Sequence, residues 1–93
     1  MERIRGNDAR MNLRKRLQKL LNSPNNVRFG DLVIIVRAFG FRLSRVSGSH
    51  HIFLRDGIVE QINLQNVHGK AKPYQIRQFL KIIEQYNLEL EEK

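Results

Sequence analysis

Between Phe41 and Leu64 the chain offers three consecutive strand candidates, Phe41–Ser47, Ser49–Arg55 and Ile58–Leu64, and this run constrains the fold more than any other feature. Gly48 breaks the first from the second, and Asp56-Gly57 is a two-residue hairpin signal between the second and third. Connections this short join antiparallel neighbours, so the run predicts a three-stranded meander. So small a sheet needs an apolar cover on one face.

Helical patterns on both sides can supply that cover. Before the strands, Val33-Ile34-Ile35-Val36 would be a strand by propensity alone. Periodicity points to a helix over 31–39. Leu32, Ile35, Val36 and Phe39 fall at i, i+3, i+4 and i+7, Asp31 sits in the first turn, and Gly40 stands where a left-handed residue would end it. After the strands, Pro73 opens a helix as its first residue, and Ile76, Phe79, Leu80 and Ile83 form its apolar stripe. Asn87 ends it. A further amphipathic helix is predicted from Asp8 to Leu21, with Asn7 or Asp8 as its cap and Ala9, Leu13, Leu17, Leu20 and Leu21 inward. Asn22-Ser23-Pro24-Asn25-Asn26 breaks it, too short a turn to be a domain linker. The expectation is a single α+β domain over residues 1–93, with helices on one face of an antiparallel sheet. Residues 1–7 are read as flexible and 89–93 as an acidic tail. The predicted core holds Ile35, Phe39, Phe53, Ile76, Leu80 and Ile83.

Ninety-three residues suffice for one compact core. The chain has no cysteine, so disulfides and thiolate metal sites are excluded. It has neither an apolar run of spanning length nor a signal-like N-terminus, which predicts a soluble cytoplasmic protein with no membrane partner. The net charge of +8 is concentrated early: residues 1–30 carry eight Lys/Arg against two acids. Such an excess favours nucleic acid or an acidic protein as partner.

The segment Arg45-Val46-Ser47-Gly48-Ser49-His50-His51-Ile52-Phe53 points to phosphate chemistry. Successive strand residues face opposite sides, so a buried Phe53 would put His51 inward and display His50 on the open face. Imidazole, with a reference pKa of about 6.5, accepts or donates a proton near neutral pH. The same divergence keeps His50 and His51 from chelating one ion, and no carboxylate or cysteine completes a set with His68, so no metal or other cofactor is expected.

Several motifs together resemble the HicA family of toxins from bacterial type II toxin–antitoxin modules. They are Phe39-Gly40-Phe41, Arg45, Gly48-Ser49-His50-His51-Ile52-Phe53, and the run from Asn63 through Val67-His68-Gly69-Lys70-Ala71-Lys72-Pro73-Tyr74 to Leu80. The resemblance covers about residues 28–88. Residues 8–22 would then be an extra N-terminal helix. Phe41 stands where many members have Trp, and Gln65-Asn66-Val67-His68 where many have a Pro-x-His element. The resemblance implies an α-β-β-β-α fold like that of double-stranded-RNA-binding domains and a ribonuclease acting on mRNA. It places the family's catalytic histidine at His50 and implies a HicB-type antitoxin that holds the enzyme inactive.

The RNA 2′-hydroxyl is an internal nucleophile, so cleavage requires proton transfer, by His50 as general acid or base, and charge stabilisation at the phosphate. Arg45, Lys70 and Lys72 are the candidate charge stabilisers, and Gly48, Ser49 and His68 complete the candidate RNA-binding set. The same fold and charge would also suit a non-catalytic RNA-binding module, which would not need His50.

Overall fold

The computed structural model describes residues 4–91, with side chains from residue 13 onward. The chain runs α1 (Ile4–Asn22), α2 (Phe29–Ala38), β1 (Arg42–Ser47), β2 (His50–Leu54), β3 (Ile62–Gln65) and α3 (Pro73–Gln85). The three strands form one antiparallel sheet in the order β1-β2-β3. The result is the expected α+β fold, with the α-β-β-β-α order completed by α2 and α3 and preceded by α1.

Helix α2 forms over the β-branched run because a helix buries all of the predicted stripe at once. Leu32, Ile35 and Val36 are fully buried and Phe39 nearly so. It ends in a Schellman turn: Gly40 N–H donates to Arg37 O and Phe41 N–H to Val36 O, with Gly40 at φ +91°. Asn87 closes α3 in the same way at φ +54°, with its N–H on Glu84 O and Leu88 N–H on Ile83 O. Asn is among the few residues besides glycine that enter this conformation readily. Pro73 opens α3 as expected.

The core joins Leu20 of α1, the α2 stripe, Phe53, Ile62 and Leu64 of the sheet, and Ile76 and Phe79 of α3. Phe79 meets Phe39 and Phe41 edge-on, with ring centroids 5.8 and 6.1 Å apart, so one side chain ties α3 to both sides of the α2–β1 reversal.

Five expectations need correction, four within the elements and one after α3. Helix α1 begins at Ile4, so residues 4–7 are helical and neither Asn7 nor Asp8 caps it; residues 1–3 lie outside the described set. Leu21 is half exposed, because the inward stripe of α1 passes through Leu17 and Leu20. Leu80 and Ile83 pack against the core from its rim, since α3 presents Ile76 and Phe79 squarely to the sheet. The third strand starts at Ile62 instead of Ile58. Asp56-Gly57 does form a tight turn, with Ile58 N–H on Arg55 O and Gly57 at φ +87°. Ile58 then packs on the core and Glu60 accepts a 2.6 Å bond from the Tyr86 hydroxyl, so the chain rejoins the sheet only afterward. That bond holds the Glu60 carboxyl below the ordinary carboxylate range and pushes the Tyr86 phenol up.

The acidic segment after α3 folds back instead of trailing off. Leu88 and Leu90 cover the core, Glu91 N–H donates to Ala38 O, and the Glu91 carboxylate lies 3.8 Å from Arg55. Residues 92–93 lie outside the described set.

Phe79→Ala is expected to cost ~3–5 kcal/mol, and Leu80→Ala less than the ~2–5 kcal/mol of a fully buried leucine. Urea denaturation of the two variants checks this. A larger loss for Leu80→Ala would contradict the observed phase of α3.

Candidate functional site

β2 is the central strand, and its pleat divides the site. Phe53 and His51 face the helices. The His51 ring lies against Phe29, centroids 4.8 Å apart, and its Nδ1–H donates to Ser49 O at 3.2 Å. A carbonyl can only accept, so this bond fixes the proton on Nδ1. His51 is thus a packing and hydrogen-bonding group of the covered face. His50 and Ile52 face the other way, onto the side the helices leave open.

On that open face His50 has a neighbour that sequence reasoning missed. β3 is paired so that Gln65 stands opposite His50 and Asn63 opposite Ile52. Asn63 is therefore the diagonal neighbour of His50, and its Oδ1 lies 3.1 Å from His50 Nδ1. With the amide oxygen as acceptor, Nδ1 carries the hydrogen and Nε2 holds the lone pair. Among the described residues Nε2 has no partner, so it is left to a ligand. Polar-apolar alternation in Ile62-Asn63-Leu64-Gln65 was the available signal, but only strand register identifies the partner.

Arg45 joins this face through an irregularity. Leu43 pairs with Phe53 and faces the helices, and strict alternation would send Arg45 the same way. A β-bulge between Leu43 and Arg45 inserts Ser44 and pairs Arg45 with Ile52, moving it to the His50 side. Among the described residues its guanidinium has no partner, whereas Arg42 on the same face is held by Asp56 at 3.0 Å.

Gly48 and Ser49 form the two-residue turn between β1 and β2. Gly48 adopts φ +60° with open space where a Cβ would stand, so turn geometry accounts for this glycine. Ser49 O accepts from both His51 and the Asn66 N–H, which ties the turn to the segment after β3.

The other candidates are placed differently. Val67 and Lys70 exchange backbone bonds around His68-Gly69, both at positive φ, so His68 sits exposed at the tip of a tight turn. Lys70 extends to Asn26 Oδ1, beside α1. Lys72 precedes α3, its ammonium 5.8 Å from the Tyr74 ring centre. The structure thus gathers Arg45, Gly48 and Ser49 with His50, and directs the Lys70 and Lys72 side chains elsewhere. Gln75, also missed, is buried in α3 and accepts the Gln65 N–H at 2.7 Å, which secures the edge of β3 beside His50. Among the described residues, no three His, Asp or Glu side chains cluster as metal ligands, and no helix is long and apolar enough to cross a membrane.

The open sheet face of this basic α+β domain thus carries an imidazole oriented by Asn63 and, among the described residues, an arginine with no partner. The family model described as "HicA toxin of bacterial toxin-antitoxin" matches residues 29–85, and the chain belongs to this family. It is a toxin of a toxin–antitoxin module, which implies a cognate antitoxin as partner. No curated protein and no solved structure matches the chain significantly.

Long-range proton–nitrogen spectra of neutral His50 are expected to show the Nδ1-protonated tautomer, and Asn63→Ala should remove that bias. An unchanged tautomer ratio in the variant would contradict the Asn63 contact.

Proposed function

We propose that this toxin is an endoribonuclease that cleaves mRNA, with His50 as its general acid/base. The observation that carries the reading is the His50–Asn63 pair on the open face: Asn63 takes Nδ1–H and leaves the Nε2 lone pair toward solvent. A base oriented by a third group is the arrangement that activates hydroxyl nucleophiles. Nε2 takes the proton of the RNA 2′-hydroxyl, whose oxygen forms a bond to the adjacent phosphorus as the bond to the 5′ oxygen breaks. The products are a 2′,3′-cyclic phosphate and a 5′-hydroxyl end. The proton taken from the 2′-hydroxyl is returned to the departing oxygen by the imidazolium or by water.

Arg45, placed on the same face by the bulge, supports the extra negative charge that builds on the phosphate oxygens. The Gly48-Ser49 turn beside His50 is uncrowded and leaves room for a phosphate. Lys70, Lys72 and His68 serve RNA binding outside the reacting centre. A lone histidine cannot act as base and acid at the same instant, so a modest rate fits this site. The reaction draws on groups of this chain and the RNA, so cleavage is expected to persist in chelator.

The antitoxin, of HicB type and acidic, covers the His50 face in the bacterial cytoplasm. Its attraction to a chain of charge +8 speeds encounter, and salt should slow association far more than it speeds dissociation.

His50→Ala is expected to lose ~10²–10⁴-fold in cleavage rate. It should keep its RNA affinity and thermal stability. Asn63→Ala should lower kcat with little change in KM. Cleavage of a synthetic RNA, scored for the cyclic phosphate end, checks both. Equal cleavage by wild type and His50→Ala would refute the assignment, and RNA bound but cut by neither protein would leave an RNA-binding module.

A further inference from the structure

A cleft of about 250 Å³ lies where the end of α1, the α1–α2 connection and the turn before α3 meet. Four cations line it, Arg16, Lys19, Arg28 and Lys70, against the single carboxylate of Asp31. Asp31 lies 3.7 Å from Arg16, and Asn26 accepts from Lys70, so two of the cations are positioned by neighbours. Among the described residues Lys19 and Arg28 have no side-chain partner. The apolar lining residues Leu20 and Val27 are themselves buried, so the side chains that reach the cleft surface are those of the four cations, Asn26 and Asp31.

We propose that this cleft is a second phosphate-binding site for RNA, which holds the sugar–phosphate backbone of a strand whose reacting phosphate lies at His50. The inference rests on the RNA-cleaving reading for its choice of ligand, but it concerns different residues. Arg16, Lys19, Asn26 and Arg28 all precede the family-matched residues 29–85, so α1 and its connection bring to this chain a surface that the matched region lacks.

Three observations favour RNA backbone. First, cations spread along a cleft without an exposed apolar anchor suit a chain of phosphates, whereas protein interfaces centre on buried aromatic and aliphatic contacts. Second, the N-terminus of α2 opens at Arg28 without a side-chain cap, and its positive dipole end adds to the four cations. Third, the cleft is joined to the His50 site by bonded backbone. Asn66 N–H donates to Ser49 O next to His50, and the same segment continues through Gly69 O, which accepts Phe29 N–H, to Ala71 N–H on Val27 O. Lys70 lies within this segment and projects to the cleft. The Asn66–Lys70 turn is thus the route on which the proposal lays an RNA strand from His50 toward Arg28 and Lys19.

The test is the Lys19→Gln/Arg28→Gln double variant, made in wild type and in the His50→Ala background. Binding of a single-stranded RNA of about twenty nucleotides to the His50→Ala proteins is measured by fluorescence anisotropy from ~50 to ~200 mM salt. The double variant is expected to bind about tenfold more weakly at low salt. The slope of log affinity against log salt should be shallower by about 1.4, since each lost phosphate contact on a single strand contributes ~0.7. In the otherwise wild-type protein, cleavage of a dinucleotide, too short to reach the cleft, should be unchanged while cleavage of the long RNA slows. Unaltered RNA affinity and salt slope would overturn the proposal. So would a loss of antitoxin affinity with RNA binding intact, which would make the cleft a protein interface, or an absence of RNA binding by the unsubstituted cleft. RNA binding that weakens as expected, in a protein that cleaves nothing, would support the cleft and refute the nuclease reading alone.

Discussion

Burial of Phe53 on the central strand is the constraint from which the rest of the molecule follows. Phe53 is almost wholly removed from solvent between the helices and the sheet. The pleat then leaves no choice for its neighbours: His51 must share the covered side and His50 the open one. His51 meets this demand by resting on Phe29 and giving its Nδ1–H to Ser49 O. A register slip of one residue would exchange the two histidines and bury the wrong one. Packing energy thus sets which imidazole is displayed.

The helix ends convert this arrangement into a closed structure. The Gly40 turn reverses the chain directly from α2 into β1, and Phe39 and Phe41, on either side of it, both lean on Phe79. The Asn87 turn sends the chain back across the far ends of the helices, where Leu88 and Leu90 cover apolar surface and Glu91 reaches Ala38. Gly40 is required there by its positive φ; a Cβ would also stand 2.6 Å from the Glu91 carboxylate, but that is the free end of a side chain that can swing aside. These connections leave the outer edge of β1 and the His50 face uncovered, with Leu43 and Val46 partly exposed on the edge strand.

Charge is organised in two places. On the open face Arg42 pairs with Asp56, and among the described residues Arg45 has no partner on the face that carries His50. In the cleft at the end of α1 four cations share one carboxylate. The net charge of +8 alone would predict diffuse attraction to polyanions. The division into the His50 face and a cation-lined cleft gives that attraction a direction.

The sequence by itself determined the elements and the parity. Hydrophobic period separated α2 from the strand its β-branched residues would otherwise suggest. Pro73, Gly40 and Asn87 marked helix ends through backbone preferences that are local. The alternation around Phe53 already displayed His50. Only the tertiary structure decided what stands beside it. Asn63 meets His50 through the register of β2 with β3, and Arg45 reaches the same face because one extra residue, Ser44, bulges β1. Lys70 turns toward Asn26 instead of the strand face, and Leu80 falls at the rim of the core despite its helical phase. The physical reason is the same in each case. Local periodicity fixes which way a side chain leaves its own element, while its neighbours depend on how elements distant in sequence are paired and packed.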